Sequence, residues 1–241
     1  MEAKCDLCAF FGEKPHCHNC KVINKTRSHA PQEIECSLEE LVEYIENNCD
    51  ITDKYNVGDY KTIELYTGEK VKMILLDTNA DLLSDGQTRA RTTFGVMNAT
   101  GAFAMHPIDT GNTLNYEGSE MRNVRMEAFY RILPEALRKA VKPVIKSTGT
   151  GREANLIHTT EKCFLFSESE ILGVNTVSAP GEGNQYEYFT FEINRGFQNN
   201  IWIRSMCTNR YYEGRFCVLT NGHISMPSPT NAYNVAFGFC I

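Results

Sequence analysis

The sequence predicts an α+β fold built on antiparallel sheet. Helical stretches sit among many short strands without the regular strand–helix alternation of a βαβ fold. Lys61-Thr-Ile-Glu-Leu-Tyr66 alternates with period two and leads through a Thr67-Gly68 turn into Val71-Lys-Met-Ile-Leu-Leu76, a hairpin pattern. Asn221-Gly222 between two apolar runs marks a second hairpin. At 42% hydrophobic and 22% charged, the 241 residues have the balance of a globular chain, so a fibrous or disordered protein is excluded.

The N-terminal stretch carries four of the ten cysteines, as Cys5-Asp-Leu-Cys8 and Cys17-His-Asn-Cys20. Two C-x-x-C turns can aim four thiolates at one centre, so a structural zinc ion held by Cys5, Cys8, Cys17 and Cys20 is expected. His16 and His18 flank Cys17 as substitute ligands or as supports behind the ligands. A closed four-sulfur site has no open position, so no catalysis is expected there. The opening residues Met1-Glu-Ala-Lys-Cys5 contain no apolar leader, and no run reaches the roughly 18–20 apolar residues of a membrane span. A chain cytoplasmic at synthesis, without signal peptide or membrane insertion, is the expectation.

Residues 37–49 read as an amphipathic helix. Ser37 and Glu40 have capping-box spacing, and Leu38, Leu41, Val42 and Ile45 fall on one helical stripe. The expected organisation is a zinc-knuckle segment over 1–35, an amphipathic helix and linker over 36–52, and a large domain over 53–241. Residues 1–29 hold five basic and three acidic side chains, residues 30–52 seven acids and no base, and the rest 19 basic and 20 acidic. With a net charge of −6 and no basic stripe, nucleic acid is disfavoured as a partner.

Within the large domain, Arg91–Met97 reads as a strand and Ser119–Leu133 as a helix with Met121, Val124, Ala128, Phe129 and Ile132 on its apolar spacing. Pro134 ends it and opens a second helix to Val141. Lys142–Ser147 is extended, Glu161–Phe166 a strand, Ser167–Leu172 a short capped helix, and residues 173–185 a loop. Trp202–Ser205, Phe216–Thr220, His223–Met226 and Val235–Ile241 complete the strands.

Trp202-Ile-Arg-Ser205, Phe216-Cys-Val, Asn221-Gly222 and the closing Val235-Ala-Phe-Gly-Phe-Cys-Ile241 together resemble a phage and prophage family. Its members carry a W-L-R-S box, a V..DG hairpin and a terminal G-V-x-P-x-F-x-I strand. Val57-Gly-Asp-Tyr-Lys-Thr-Ile, Tyr116-Glu-Gly-Ser-Glu-Met-Arg122, Leu133-Pro134 and Ile145-Lys146 are similar to its earlier marks, so the resemblance covers residues 53–241. Met206 stands for the usual Pro after the box, Ala236 and Phe237 for the usual pair near the end, and Tyr116 for a Trp. The resemblance implies an α+β, C-type-lectin-like domain with antiparallel sheet and two helices, preceded by a small four-cysteine zinc knuckle and one amphipathic helix. Its relatives end phage tail proteins and bacterial surface proteins, and include the variable proteins of diversity-generating retroelements.

Such a scaffold displays a tolerant surface between framework strands. Here Thr208, Asn209, Arg210, Tyr211, Tyr212, Arg215, Tyr233 and Asn234 are the expected ligand-binding residues, because Tyr and Arg make large rigid contacts and Asn adaptable ones. Trp202 is expected as a buried anchor and Arg204 as half of a buried ion pair. No E-P-N, Q-P-D or W-N-D pattern supports calcium-dependent sugar binding, and no G-x-S-x-G, H-E-x-x-H or P-loop pattern supports an enzyme. Cys207 and Cys217, near the Trp-Arg-Ser box, read as buried small groups rather than a redox pair. The expected function is a phage- or prophage-encoded binding protein, open to diversification, whose partner is a protein or glycan on a cell surface, with a homo-oligomeric or virion setting. The alternative is an intracellular regulatory or assembly adaptor in which the zinc knuckle makes the interaction.

Overall fold

In the computed structural model, which describes residues 30–97, 101–111, 113–152, 155–197 and 199–241, Ser37 opens the first helix, α1 (Leu38–Asn47). The Ser37 hydroxyl accepts the Glu40 N–H at 3.1 Å, and Glu40 Oε2 accepts the Ser37 N–H at 2.8 Å, a complete capping box. Leu41 and Ile45 are fully buried, and α1 lies against α3 (Glu135–Ala140) within the compact unit Gln32–Ile241. Arg91 ties the far end down by donating to the Ile45 carbonyl at 2.7 Å.

Among the described residues, twelve strands form three sheets. The first has the order β1 (Tyr60–Glu64), β2 (Lys70–Thr78), β3 (Thr92–Val96), β12 (Phe237–Cys240), β7 (Cys163–Leu165), all antiparallel. The second runs β10 (His223–Ser225), β9 (Phe216–Thr220), β8 (Ile201–Met206), β11 (Ala232–Val235), β4 (Ala102–Ala104). The third is the hairpin β5 (Val144–Gly149) with β6 (Leu156–Glu161). β3, β8 and β12 are buried at every residue, the polar Thr92, Thr93, Arg204 and Ser205 included. Alternate residues feed two cores. Trp202, Met206, Phe216 and Val218 enter one with Phe94, Phe237 and Phe239. Ile201, Ile203, Cys207 and Cys217 enter the other with Phe164, Phe166 and Phe189.

The fold corrects the expected class. The described residues form a mixed α/β structure, mostly sheet, with four α-helices. The large domain holds three of them, α2 (Glu127–Ile132), α3 and α4 (Glu168–Leu172), rather than two. The sheet is not purely antiparallel, because β11 runs parallel to β8 with Asn234 beside Ile201. The 25 residues between them, which contain β9 and β10, give the chain room for the return that a parallel pair requires. Val235–Ile241, expected as one strand, is two: the chain leaves the second sheet at Val235 and enters the first at Phe237. With a third helix and a parallel strand pair, the large domain is not the expected C-type-lectin-like domain of antiparallel sheet and two helices. The zinc knuckle forms no part of the described fold either. Cys5, Cys8, Cys17 and Cys20 lie outside the described residues, and among the described residues no group of three or more His, Cys, Asp or Glu side chains can hold a metal.

The helix expected over Ser119–Leu133 is shorter and not purely α: Met121–Met126 is a π-helix that passes directly into α2, and Leu133 is already extended. Met121 and Met126, five residues apart, are both buried by the wider turn. No helix among the described residues is long and apolar enough to cross a membrane.

Candidate functional site

Arg204, in the middle of β8, is completely buried, and all five of its N–H donors are used. Nη1 donates to Glu170 Oε2 at 2.6 Å and to the Leu165 carbonyl at 2.7 Å. Nη2 donates to Glu170 Oε1 at 2.8 Å and to the Glu182 carbonyl at 2.6 Å, and Nε to the Ser147 carbonyl at 3.3 Å. Burial works against its charge, yet the Glu170 carboxylate outweighs this and raises the Arg204 pKa. Glu170 resists burial in the same way and is held below the usual carboxylate range by Arg204 and Lys146.

Glu170 sits there because α4 begins with a second capping box, Ser167 to Glu170. Its carboxylate therefore caps the helix and pairs Arg204 at once. Lys146, also buried, extends the network. Its ammonium donates to Glu170 Oε1 at 2.9 Å, to the Tyr186 hydroxyl at 2.6 Å and to Asp81, and lies 3.7 Å from the Phe164 ring centre. Tyr186 and Thr93 hydroxyls donate to Asp81, the latter at 2.6 Å. Asp81 loses solvation on burial, but Lys146 still holds its pKa below the ordinary value. Buried charges persist only when paired and hydrogen-bonded, and these are both.

The same framework supports the loop after β8. Glu168, buried at the start of α4, accepts the N–H groups of Thr176 at 2.8 Å, Val177 at 3.2 Å and Ser178 at 2.9 Å. Val177 in turn accepts the Thr208 N–H at 2.8 Å and the Thr208 hydroxyl at 3.0 Å. The loop closes on itself: Cys207 N–H donates to Arg215 O and Gly214 N–H to Cys207 O, both at 2.8 Å. Asn209 bridges its tip, accepting from Tyr212 N–H at 2.9 Å and, through Oδ1, from Tyr211 N–H at 3.1 Å. On its inner side Gly214 meets Gly151, where an added Cβ on Gly151 would stand 2.5 Å from Gly214 Cα.

On this support Tyr211 is 85% exposed and Tyr212 48%. Asn209, Arg210 and Arg215 are exposed beside them. The Asp109 carboxyl is held low by the Gly111 N–H, by the Ser228 hydroxyl and by the charge of Arg215, so the loop reaches the neighbourhood of residues 109–111 and 228. Of the expected ligand-binding residues, the structure brings together Thr208, Asn209, Arg210, Tyr211, Tyr212 and Arg215, with Thr208 spent on anchoring. Tyr233 and Asn234 stand apart on β11. Asn234 is level with Ile201 and Leu219, three residues or about 10 Å along β9 from the Met206–Phe216 pair that opens the loop. Tyr233 is half-buried, edge-on to Trp202 with ring centres 5.1 Å apart.

Trp202 is the buried anchor expected, with its indole N–H donating to the Phe103 carbonyl at 2.8 Å. Cys207 and Cys217 are free, buried thiols of the second core. His158 contacts the Ser147 hydroxyl at 2.9 Å across β5 and β6, and His106 accepts the Glu120 N–H at 3.2 Å. Sequence reasoning missed Lys146, Glu168, Glu182 and Tyr186. A signal existed for Glu182 in its Gly181-Glu-Gly183 setting. Both glycines have positive φ (92° and 124°), and between them Glu182 turns inward to accept the Gly149 N–H at 2.7 Å and the Ser205 hydroxyl. Burial pushes the Glu182 carboxyl up.

The model of a domain of unknown function (DUF6273) matches residues 102–238, which run from β4 into β12 and contain Arg204, Glu170, Lys146, Tyr186, the tyrosine loop and its supports, but not Asp81 and Thr93 of the same network. No curated protein and no solved structure matches the chain.

Proposed function

The chain belongs to the DUF6273 family, and from that premise we propose that it is a ligand-binding module whose recognition surface is the loop carrying Asn209, Arg210, Tyr211, Tyr212 and Arg215. The observation that carries this reading is the 85% exposure of Tyr211 on a loop closed by backbone hydrogen bonds between Cys207, Asn209, Tyr212, Gly214 and Arg215, with its base tied to a buried ionic network. A large aromatic ring held in water by a hydrogen-bonded backbone has already lost backbone entropy, so a partner gains the ring's apolar and hydrogen-bonding contacts for the ordering of only its side-chain torsions. Arg210 and Arg215 add charge-assisted donors on either side.

The resemblance to phage and prophage proteins supports a protein or glycan on a cell surface as the partner, with homo-oligomeric or virion display multiplying the contacts. Retention of a cell-surface ligand from bacterial envelope extracts by the immobilised chain tests the reading. The wild type retains it, and a variant with residues 209–212 replaced by alanine does not. Equal retention by both would reject the loop and favour the adaptor reading, in which residues 1–35 make the contact.

A further inference from the structure

The π-helical turn Met121–Met126 borders a surface cavity of about 340 Å³, within the size range of small-molecule sites. This cavity is separate from the tyrosine loop and lies inside the matched family segment. The π register matters to it. In a wide turn residues five apart share a side, as the Glu120–Arg125 pair at 2.8 Å shows. Arg122 and Glu127, also five apart, both line the cavity.

The charges there are unevenly used. Glu161, buried beneath the rim, accepts Arg122 Nε at 2.5 Å, and Arg122 Nη1 donates to Asn123 Oδ1 at 3.0 Å. Among the described residues Arg122 Nη2 has no protein acceptor. Glu127 is taken by Arg131 at 2.9 Å. Lys162 is exposed, makes no ion pair among the described residues, and holds its ammonium 4.4 Å from the Tyr130 ring centre. The Tyr130 hydroxyl donates to the Arg138 carbonyl at 2.8 Å, so the ring is a fixed wall. The lining carries two cations, Arg122 and Lys162, and two carboxylates, Glu127 and Glu161, and of the two cations only Lys162 makes no ion pair among the described residues. Met126 and Pro143 add an apolar lining.

We propose that this cavity binds a small organic carboxylate, its anion between Arg122 Nη2 and Lys162 Nζ and its apolar body against Met126, Pro143 and the Tyr130 ring. A single ammonium free of an ion pair, with two carboxylates in the same lining, fits a monoanion rather than a phosphate dianion. An arginine pre-oriented by a buried carboxylate offers its remaining N–H donors at low ordering cost.

Calorimetry on the full chain with benzoate, its neutral isostere benzamide, and inorganic phosphate tests this. Saturable benzoate binding is expected, at least tenfold tighter than benzamide or phosphate. Lys162→Ala should weaken benzoate at least fivefold, and Lys162→Arg should retain it. Lys162 is exposed, so both variants keep the fold, which near-ultraviolet circular dichroism checks. Tyr211→Ala should leave benzoate binding unchanged. Absence of saturable benzoate binding, equal binding of benzamide or phosphate, or indifference to Lys162→Ala would each overturn the proposal.

Discussion

Arg204 and Glu170 meet fork to fork out of contact with solvent, Nη1 to Oε2 at 2.6 Å and Nη2 to Oε1 at 2.8 Å. The pair joins a strand of the second sheet to the first turn of α4, and α4 carries Glu168, whose carboxylate holds the segment that anchors Thr208. The exposed tyrosines thus stand on a loop whose base is connected to the buried pair.

Removing one partner leaves the other charge buried and unpaired. Glu170→Ala or Arg204→Ala is expected to cost about 3–5 kcal/mol of unfolding free energy, measured by urea denaturation. Arg204→Lys should also destabilise, because an ammonium has three donors where five acceptors are arranged. A double replacement by apolar residues of similar volume should lose less than either single alanine.

The buried carboxyls titrate with opposite signs. Asp81 and Glu170 have folded pKa values below their unfolded ones, so their stabilisation is present at neutral pH and is lost as pH falls through the folded values. Asp77 is shifted the other way, from 3.8 to about 6, because burial opposes its charge. Between those values the folded state keeps a proton that the unfolded state has released, so this group's contribution falls as pH rises. Asp77→Asn, which carries no titrating proton in that range, should therefore gain on the wild type as pH rises from 4 to 7, read from urea midpoints across that range.

Gly151 has φ +74°, and a methyl group there would stand 2.5 Å from the Gly214 backbone. Gly151→Ala is expected to cost about 1–3 kcal/mol and to raise hydrogen exchange over residues 208–215. Gly222→Ala, which also has positive φ but meets nothing within 4 Å, should leave that exchange unchanged.

Cys207 and Cys217 have thiols pushed up by burial, whereas Cys49 is exposed. Pulsed alkylation of the folded protein with peptide mapping should label Cys49 quickly and Cys163, Cys207, Cys217 and Cys240 only on unfolding. Fast labelling of Cys207 would show that the loop base opens.

Local chemistry was legible in the sequence. Ser37 with Glu40 capped a helix, Trp202 was buried, Arg204 was paired, and Asn221-Gly222 turned between β9 and β10 with both residues at positive φ (47° and 79°). What was hidden depends on distant partners. Lys146 reads as one polar residue of an alternating strand, and nothing near it reveals that Asp81, 65 positions earlier, and Glu170, 24 later, converge on its ammonium. A parallel β8–β11 pair leaves no mark on either strand's pattern. Apolar spacing over 121–133 fits an α-helix well enough that the π turn is invisible until Met105 O and the Ser119 hydroxyl are seen occupying the Met121 and Arg122 N–H groups. Of the candidate surface, residues 208–215 were legible by composition. Tyr233 and Asn234 share that composition, but the strand register separates them from it.

The most direct test is the affinity of a retained cell-surface ligand for Tyr211→Ala, measured beside the melting temperature. With an 85% exposed side chain, the substitution should leave stability within about 0.5 kcal/mol of wild type. The account predicts that affinity nonetheless falls by about 2 kcal/mol, roughly thirtyfold. Unchanged affinity in a folded Tyr211→Ala and Tyr212→Ala double variant would contradict it.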